Sequence, residues 1–276
     1  MPRNDRRTML LVASGKGGVG TSMIAALLAL TAAESGKRVL LVDACESGGT
    51  LHHLFGVRPT HSLWMLSHPR IMPRETLLAV DETLMLLPGG TSGAAVAPTS
   101  DDDRRASLSR LAMIYSDFDL VLFDGGSRLD TITAISELTD PAVLLVTSAD
   151  RLSLAANYAL VKSVRMCRPN APISVVANRH GEALSAEACE YLVDACAHFL
   201  AGTIAIAGSI PDDPCLQAAV GAGMTVRDAL SGSPAADAIR GVLAVVLPSW
   251  PTVAIPITTS LRSSPSSSPS LSRRWS

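Results

Sequence analysis

A glycine-rich stretch near the amino terminus has the residue types and the spacing of a phosphate-binding loop. Residues 10–22 read Leu-Leu-Val-Ala-Ser-Gly-Lys-Gly-Gly-Val-Gly-Thr-Ser, an apolar run that breaks into glycines and continues into helix-forming residues. In the pattern G-x-x-x-x-G-K-[ST], backbone N–H groups of the glycine turn and of the following helix surround the phosphates. Ser22 stands where the pattern places the hydroxyl that binds Mg²⁺, but Thr21 replaces the usual lysine. The stretch predicts a phosphate site that lacks one of its usual positive charges.

Two aspartates end apolar runs further along the chain. Asp43 ends the run that begins at Val39, and Asp124 ends Phe118-Asp-Leu-Val-Leu-Phe-Asp, which has the form of a Walker B segment. An acid at the end of a parallel strand can hold Mg²⁺ directly or through water. Each aspartate can instead cap the turn that follows it. With these alternatives open, we predict a metal site formed by Ser22, Asp43 and Asp124.

Alternating apolar runs and helical patterns position these residues. The predicted strands are Thr8–Ala13, Val39–Val42, Leu84–Leu87, Leu120–Phe123, Ala142–Thr147, Ile173–Ala177 and Thr203–Ala207. Helical periodicity joins Leu152, Ala155, Ala156, Ala159, Leu160, Val164 and Cys167, and a further helix is predicted over Arg104–Tyr115. Short helices and loops are expected in the region that ends at His68. The alternation predicts an α/β fold: a doubly wound, mostly parallel sheet with helices on both faces and ligands beyond the carboxyl ends of its strands.

Composition restricts the possible partners. Of the 276 residues, 47% are apolar and 17% are charged, and the net charge of −2 argues against a sequence-specific nucleic-acid partner. The five cysteines contain no C-x-x-C pair, which favours a reducing cytoplasm over a zinc or disulfide framework. We expect a nucleotide-binding domain over residues 1–247 and a disordered Pro/Ser-rich tail over residues 248–276. The prolines in and beside the apolar run 242–257 argue against a membrane-spanning helix there.

The position of Lys16 makes the loop resemble a specific family. Lys16 is the second residue of the glycine loop, as in the deviant pattern K-G-G-x-G-K-[ST] of the MinD/ParA superfamily of dimerising ATPases. The resemblance implies ATP and Mg²⁺ as ligands, a homodimer that forms on ATP binding, and a Lys16 that reaches the partner's nucleotide. It also implies a cytoplasmic protein that can be recruited to the inner face of the membrane by peripheral contact. The implied catalytic residues are Lys16, Asp43 and Asp124, and the implied loop contacts to the nucleotide are Gly15, Lys16, Gly17, Gly18, Val19, Gly20, Thr21 and Ser22.

Three further segments look most like the flagellar-number regulators of the FlhG/YlxH type. They are Leu86-Leu-Pro-Gly-Gly90, Val176-Ala-Asn-Arg179 and Ile210-Pro-Asp-Asp-Pro214. In that branch the asparagine and the Ile-Pro segment flank the adenine, so the resemblance makes Asn178, Pro211 and Asp212 candidates for base contacts. An asparagine amide can both donate and accept, as reading an adenine edge requires, but a plain turn residue is the alternative for Asn178. A protein partner in placing or counting flagella is implied.

The chain departs from this family in ways that bear on catalysis. The family usually has Asp-x-Asp after the second strand, whereas this chain has Asp43-Ala-Cys45 and so lacks the acid that positions water. The segment Asp124-Gly-Gly-Ser-Arg128 corresponds to the switch segment of the family, and Arg128 stands there where a small residue is usual. The loss of the loop lysine, here to Thr21, is also seen in pilus-localising relatives of the CpaE/TadZ type. We therefore expect slow or absent hydrolysis, with a non-hydrolysing nucleotide-binding scaffold as the alternative. An iron–sulfur reductase of related fold would need cysteines after the third strand and in the switch loop, and the sequence has none there.

Overall fold

One sheet organises the chain, and the predicted fold class is confirmed. The computed structural model describes residues 8–46, 49–90, 97–98, 100–179, 181–200, 202–230 and 232–247. The strands within these ranges are β1 (Thr8–Ala13), β2 (Val39–Asp43), β3 (Leu78–Ala79), β4 (Leu84–Leu87), β5 (Leu120–Gly126), β6 (Ala142–Thr147), β7 (Ile173–Asn178) and β8 (Ala205–Ile210). Their order is β3-β4-β2-β5-β1-β6-β7-β8. Neighbouring strands are parallel except β3 and β4, which are antiparallel.

Helices connect the strands and cover both faces. They are α1 (Thr21–Glu34), α2 (Leu51–Leu54), α3 (Asp101–Leu111), α4 (Leu129–Thr139), α5 (Arg151–Cys167), α6 (Glu182–Phe199), α7 (Pro214–Gly221), α8 (Val226–Leu230) and α9 (Pro234–Val246). Single 3-10 turns occupy Leu63–Ser67, Pro73–Thr76 and Tyr115–Asp117, so the short helical pieces expected before His68 are confirmed. None of the helices in the described ranges has both the length and the apolar character needed to cross a bilayer.

Strand side chains alternate between two apolar layers. On β1, Leu10 and Val12 pack in the layer that contains α1 and α9, whereas Leu11 and Ala13 pack in the layer that contains α4, α5 and α6. All four are fully buried. Because both faces are covered, each central strand is apolar at successive positions rather than at every second one. This explains why the central strands are visible as continuous apolar runs.

Two strand predictions need correction. The two-residue strand β3 was not predicted, because it is too short and too exposed to carry a pattern, so the run Leu84–Leu87 is the fourth strand and not the third. The last strand is Ala205–Ile210 and not Thr203–Ala207. It lies at the sheet edge, its pairing with β7 is irregular, and Gly208 has a φ of 126°. An irregular edge strand with exposed side chains has no continuous apolar run to mark its end.

Two helix predictions also shift. The helix predicted over Arg104–Tyr115 runs from Asp101 to Leu111, because the Ser100 hydroxyl accepts the Asp103 N–H and starts the helix earlier. The buried face of α5 is Ser153, Leu154, Asn157, Leu160, Val161 and Val164, whereas three predicted apolar positions, Leu152, Ala155 and Ala159, are exposed. Two polar residues belong to the core face there, and the reason lies in the functional site. The predicted tail, residues 248–276, lies outside the described residues.

Candidate functional site

The glycine loop lies between the carboxyl end of β1 and the start of α1. Gly18 and Gly20 have φ values of 82° and 94°, a region that favours glycine. Gly20 is the N-cap of α1, and no side chain caps the helix there. Among the described residues no side chain accepts a hydrogen bond from the first N–H groups of α1, which is the arrangement that binds an anion at a helix N-terminus.

Asn157 of α5 holds the beginning of the loop. Its Oδ1 accepts the Gly15 N–H at 2.7 Å, and its Nδ2 donates to the Val146 carbonyl at 3.0 Å. A Cβ on Gly15 would lie 2.2 Å from the carbonyl carbon of Ala156, so only glycine fits against this turn of α5. Gly15 is thus required for the close packing of the loop against α5. The sequence prediction missed Asn157, although an asparagine at helical spacing from Leu154 and Leu160 is the signal that marks it; in the structure it is fully buried.

Thr21 points into the loop. Its hydroxyl donates to the Ser14 Oγ at 3.0 Å, and Ser14 in turn donates to the Lys16 carbonyl at 2.8 Å. Thr21 is 7% exposed. The residue at the usual lysine position therefore joins a hydroxyl chain that fixes the loop backbone and supplies no charge.

Lys16 is bound within its own chain. Its Nζ lies 3.1 Å and 3.2 Å from the two carboxylate oxygens of Asp150, the N-cap of α5. Hydrogen bonds from Ser148 and from the Ser153 N–H, followed by that from Lys16, lower the pKa of Asp150 to about 2. Both partners of this ion pair are partly exposed. Lys16 is held at the rim of the site by a weak ion pair, which another anion can readily replace.

Asp43 and Asp124 face each other on adjacent strands and are both fully buried. The Asp43 oxygens accept the Cys45 N–H at 3.1 Å and the Leu51 N–H at 3.2 Å. A Cβ on Gly89 would lie 2.8 Å from Asp43 Oδ1, so the chain closes tightly over this carboxylate. Burial, and then the charge of Asp124, raise the pKa of Asp43 to about 7. The hydrogen bonds from the Cys45 and Leu51 N–H groups fit the alternative in which Asp43 caps the turn that follows it. A metal role for Asp43 stays a prediction.

Asp124 has a free ligand position. Its Oδ1 accepts the Gly126 N–H at 3.1 Å, but Oδ2 is buried with no hydrogen-bond partner among the described residues. The Ser22 side chain lies beside this carboxylate, and burial raises the Asp124 pKa. A buried carboxylate oxygen without a partner is costly, and a hydroxyl and carboxylate pair suits a hard divalent cation. Ser22 and Asp124 therefore fit Mg²⁺.

The switch segment after Asp124 is tied to the loop after β2. Arg128 places its Nε 3.2 Å from Oε2 of Glu46, and Arg104 of α3 places its Nε 2.6 Å from Oε1. The Thr131 hydroxyl also donates to Glu46. Glu46 and Arg104 are buried, whereas Arg128 is half exposed. Arg128 is thus engaged by an acid, and Glu46 is a residue that sequence reasoning missed.

The predicted base-contacting residues lie at the end of β7 and directly after β8, and these two strands are paired neighbours. Asn178 is 6% exposed and donates from Nδ2 to the Val19 carbonyl at 2.7 Å, so the structure brings it to the glycine loop. No other side-chain hydrogen bond of Asn178 is found in the described part of the chain, so one amide N–H and Oδ1 can bind a ligand. Pro211 follows β8 directly, and Asp212 is exposed and accepts a hydrogen bond from Gln217 at 2.7 Å. Among the described residues no hydrogen bond or ion pair joins Asp212 to the glycine loop, so its role stays a prediction.

The chain is similar to known proteins in sequence and in architecture. The chain is 27% identical to the antiactivator FleN of Pseudomonas aeruginosa over 90% of its own length and 89% of that protein. It is 25% identical to the flagellum site-determining protein YlxH of Helicobacter pylori over 55% of its length and 52% of that protein. Among solved structures, the septum site-determining protein MinD of Pyrococcus horikoshii, complexed with Mg-ADP, superposes with a TM-score of 0.70 at 20% identity, over 87% of this chain and 96% of that one.

The family model for the CobQ/CobB/MinD/ParA nucleotide binding domain matches residues 10–226. This range begins in β1, contains the glycine loop, Asp43, Asp124 and Asn178, and ends in α8. The predicted resemblance to the MinD/ParA superfamily is confirmed. The chain belongs to the CobQ/CobB/MinD/ParA nucleotide-binding family.

Proposed function

We propose that the chain is a nucleotide switch that binds ATP with Mg²⁺ at the glycine loop and dimerises in the ATP state. The observation that carries the proposal is an α1 N-terminus without a side-chain cap together with the buried Oδ2 of Asp124, neither of which has a side-chain partner among the described residues. The first is suited to phosphates and the second to the metal that accompanies them. The domain of residues 1–247 and the contacts of Pro211 and Asp212 are part of this proposal.

Within this site each residue has a defined task. Backbone N–H groups of Gly17 to Ser22 bind phosphate oxygens, and bound Mg²⁺ neutralises charge on them. Ser22 and Asp124 hold the metal, and Asp43 keeps the neighbouring loops in place through its backbone hydrogen bonds. Asn178, already oriented by the Val19 carbonyl, has a donor and an acceptor left to match N7 and the amino group of adenine.

The biological role proposed is placement or counting of flagella through a protein partner. The similarity to the flagellum site-determining protein YlxH supports it, together with the resemblance of residues 86–90, 176–179 and 210–214 to the flagellar-number regulators. Deletion of the gene, followed by electron microscopy of flagella on each cell, tests it; a change in flagellar number or position is expected. A defect confined to pili would instead favour the alternative, a non-hydrolysing scaffold of the pilus-localising type, which the inward-pointing Thr21 and the absence of an acid at Cys45 support.

Calorimetry with Mg-ADP tests the binding proposal, with Asp124→Asn as the variant. Removing the charge should weaken Mg-dependent binding by at least tenfold, because a charge-assisted contact contributes about 1.5–3 kcal/mol. The same change should raise the unfolding midpoint of the nucleotide-free protein, since it removes a buried carboxylate beside Asp43. Asp194→Asn, on the exposed face of α6, is the matched control and should change neither. No binding by the wild type at millimolar nucleotide would refute the proposal.

A further inference from the structure

The cationic side chains around the loop differ in whether they form an ion pair with a carboxylate. Thr21 supplies none, Lys16 is paired with Asp150, and Arg128 is paired with Glu46. Arg179, which follows Asn178, is exposed, and among the described residues no carboxylate lies within ion-pair distance of its guanidinium. It is therefore a cation near this loop that has no anionic partner in the described part of the chain.

The backbone holds Arg179 against the loop. Its φ of 65° is in the left-handed region, which is uncommon for a residue other than glycine and occurs often at functional sites. Its N–H donates to the Ile210 carbonyl at 3.1 Å, which ties it to the end of β8. Its Nη2 lies 3.8 Å from the place where a Cβ on Gly20 would stand. The guanidinium is thus next to the N-cap of α1.

A cation at this place is unfavourable without a ligand. The N-terminus of a helix carries a partial positive charge, so α1 repels a guanidinium beside Gly20 unless an anion lies between them. Phosphate is such an anion, and the planar fork of arginine matches its oxygens better than a lysine does. An anion bound at the loop would satisfy both the helix and Arg179.

We propose that Arg179 contacts the phosphates of the bound nucleotide and supplies positive charge that the loop lacks at Thr21. This proposal rests on the proposed nucleotide site. It gives the end of β7 two tasks, with Asn178 directed to the base and Arg179 to the phosphate chain.

Calorimetry of Mg-ADP binding to the full chain tests this role with Arg179→Gln and Arg179→Lys. Arg179→Gln should weaken binding about ten- to a hundredfold, and Arg179→Lys should weaken it less because it keeps the charge. Arg240→Gln, which removes an equal charge from α9, is the matched control and should bind as the wild type does. Competition by inorganic tripolyphosphate, which has no base, should weaken by a similar factor in Arg179→Gln. Unfolding midpoints equal to that of the wild type show that the variants fold.

Three outcomes would overturn the role. Equal affinity of Arg179→Gln and wild type removes it and leaves the nucleotide site intact. Weaker binding of Mg-ADP with unchanged tripolyphosphate competition assigns Arg179 to the base and not to the phosphates. Absence of binding by the wild type refutes the proposed function itself and this role with it.

Discussion

At the scale of single residues, the loop is shaped for phosphates but poorly charged. Thr21 and Ser14 form a buried hydroxyl chain that ends on the Lys16 carbonyl, so the loop backbone is fixed without a ligand. Binding draws mainly on that backbone, whereas phosphoryl transfer also needs charge neutralisation and a positioned water. The two activities should therefore be affected differently by the departures at Thr21 and Cys45.

Hydrolysis by the wild type should be at or near background. The thiol of Cys45 is a weak donor and acceptor and does not hold water as a carboxylate does, and Thr21 brings no cation to the phosphates. Thr21→Lys combined with Cys45→Asp should raise phosphate release above either single change, because the two defects concern separate parts of the reaction. Asp124→Ala in the double variant is the control and should abolish the gain. Robust wild-type turnover that Asp124→Ala removes would contradict the prediction.

Asn157 should matter for stability as well as for the loop. Asn157→Ala leaves the Gly15 N–H and the Val146 carbonyl without their partner in a fully buried place, which we expect to lower the free energy of unfolding by about 1–3 kcal/mol. Urea denaturation measures the change. Asn170→Ala, at an exposed position after α5, should have little effect. Equal losses in the two variants would show that the buried hydrogen bonds contribute nothing specific.

At the scale of elements, Glu46 joins three parts of the structure. It follows β2, accepts from Arg104 of α3 and from Thr131 of α4, and pairs with Arg128 of the switch segment. Burial raises the pKa of Glu46, but the hydrogen bonds from Arg104 and Thr131 outweigh it, so the pKa lies below its ordinary value. The cluster fixes the switch segment relative to the loop after β2.

Arg104→Gln should therefore be costly, whereas Arg105→Gln should not. Breaking a buried pair by removing one partner typically costs about 3–5 kcal/mol, and we expect the lower end because Arg128 still faces Glu46. Arg105 makes exposed pairs with Asp101 and Glu137 and serves as the matched control. Chemical denaturation at pH 7 measures both, and comparable losses would contradict the buried role of Arg104.

The same pair predicts a pH dependence with a defined sign. A depressed carboxyl pKa means that the folded state binds fewer protons than the unfolded state near pH 4, so stability falls as the pH falls there. The difference in unfolding free energy between wild type and Arg104→Gln should be full above the ordinary glutamate pKa of 4.5 and should shrink as the pH falls through the lower folded value. A difference that is constant from pH 7 to pH 3 would show that Glu46 does not carry it.

Which elements the sequence could predict depends on burial. β1, β2 and β5 are covered on both faces, so their apolar runs predict them within a few residues. The prediction misplaces the edge strand β8 because Gly208 interrupts its apolar run. It misplaces the core face of α5 because that face contains the polar residue Asn157. The glycines and acids of the site follow from motif spacing. The contacts of Asn157, Glu46 and Asp150 do not, because they join segments far apart in sequence.

At the scale of the whole molecule, the site lies where the topology reverses. β1 pairs with β5 on one side and with β6 on the other. The loop after β1 therefore meets the switch segment and the start of α5 beyond the carboxyl ends of these strands. Ligands of open parallel sheets bind at such a point. Lys16 is at the exposed rim of this edge, where a second copy of the chain can approach.

Lys16 should have one partner in the free chain and another in the proposed ATP-bound dimer. Its contact with Asp150 is partly exposed and contributes about 0–1 kcal/mol, so a phosphate across a dimer interface can replace it. Lys16→Ala should weaken ATP-dependent dimerisation, because it removes the cation that would reach the other nucleotide. Asp150→Asn keeps an N-cap for α5 but removes the competing charge, so it should leave dimerisation unchanged or strengthen it by up to about fivefold. Sedimentation velocity with Mg-ATP measures both. Equal sedimentation of wild type and Lys16→Ala, or equal weakening by the two variants, would place Lys16 in the fold of the single chain and not in the interface.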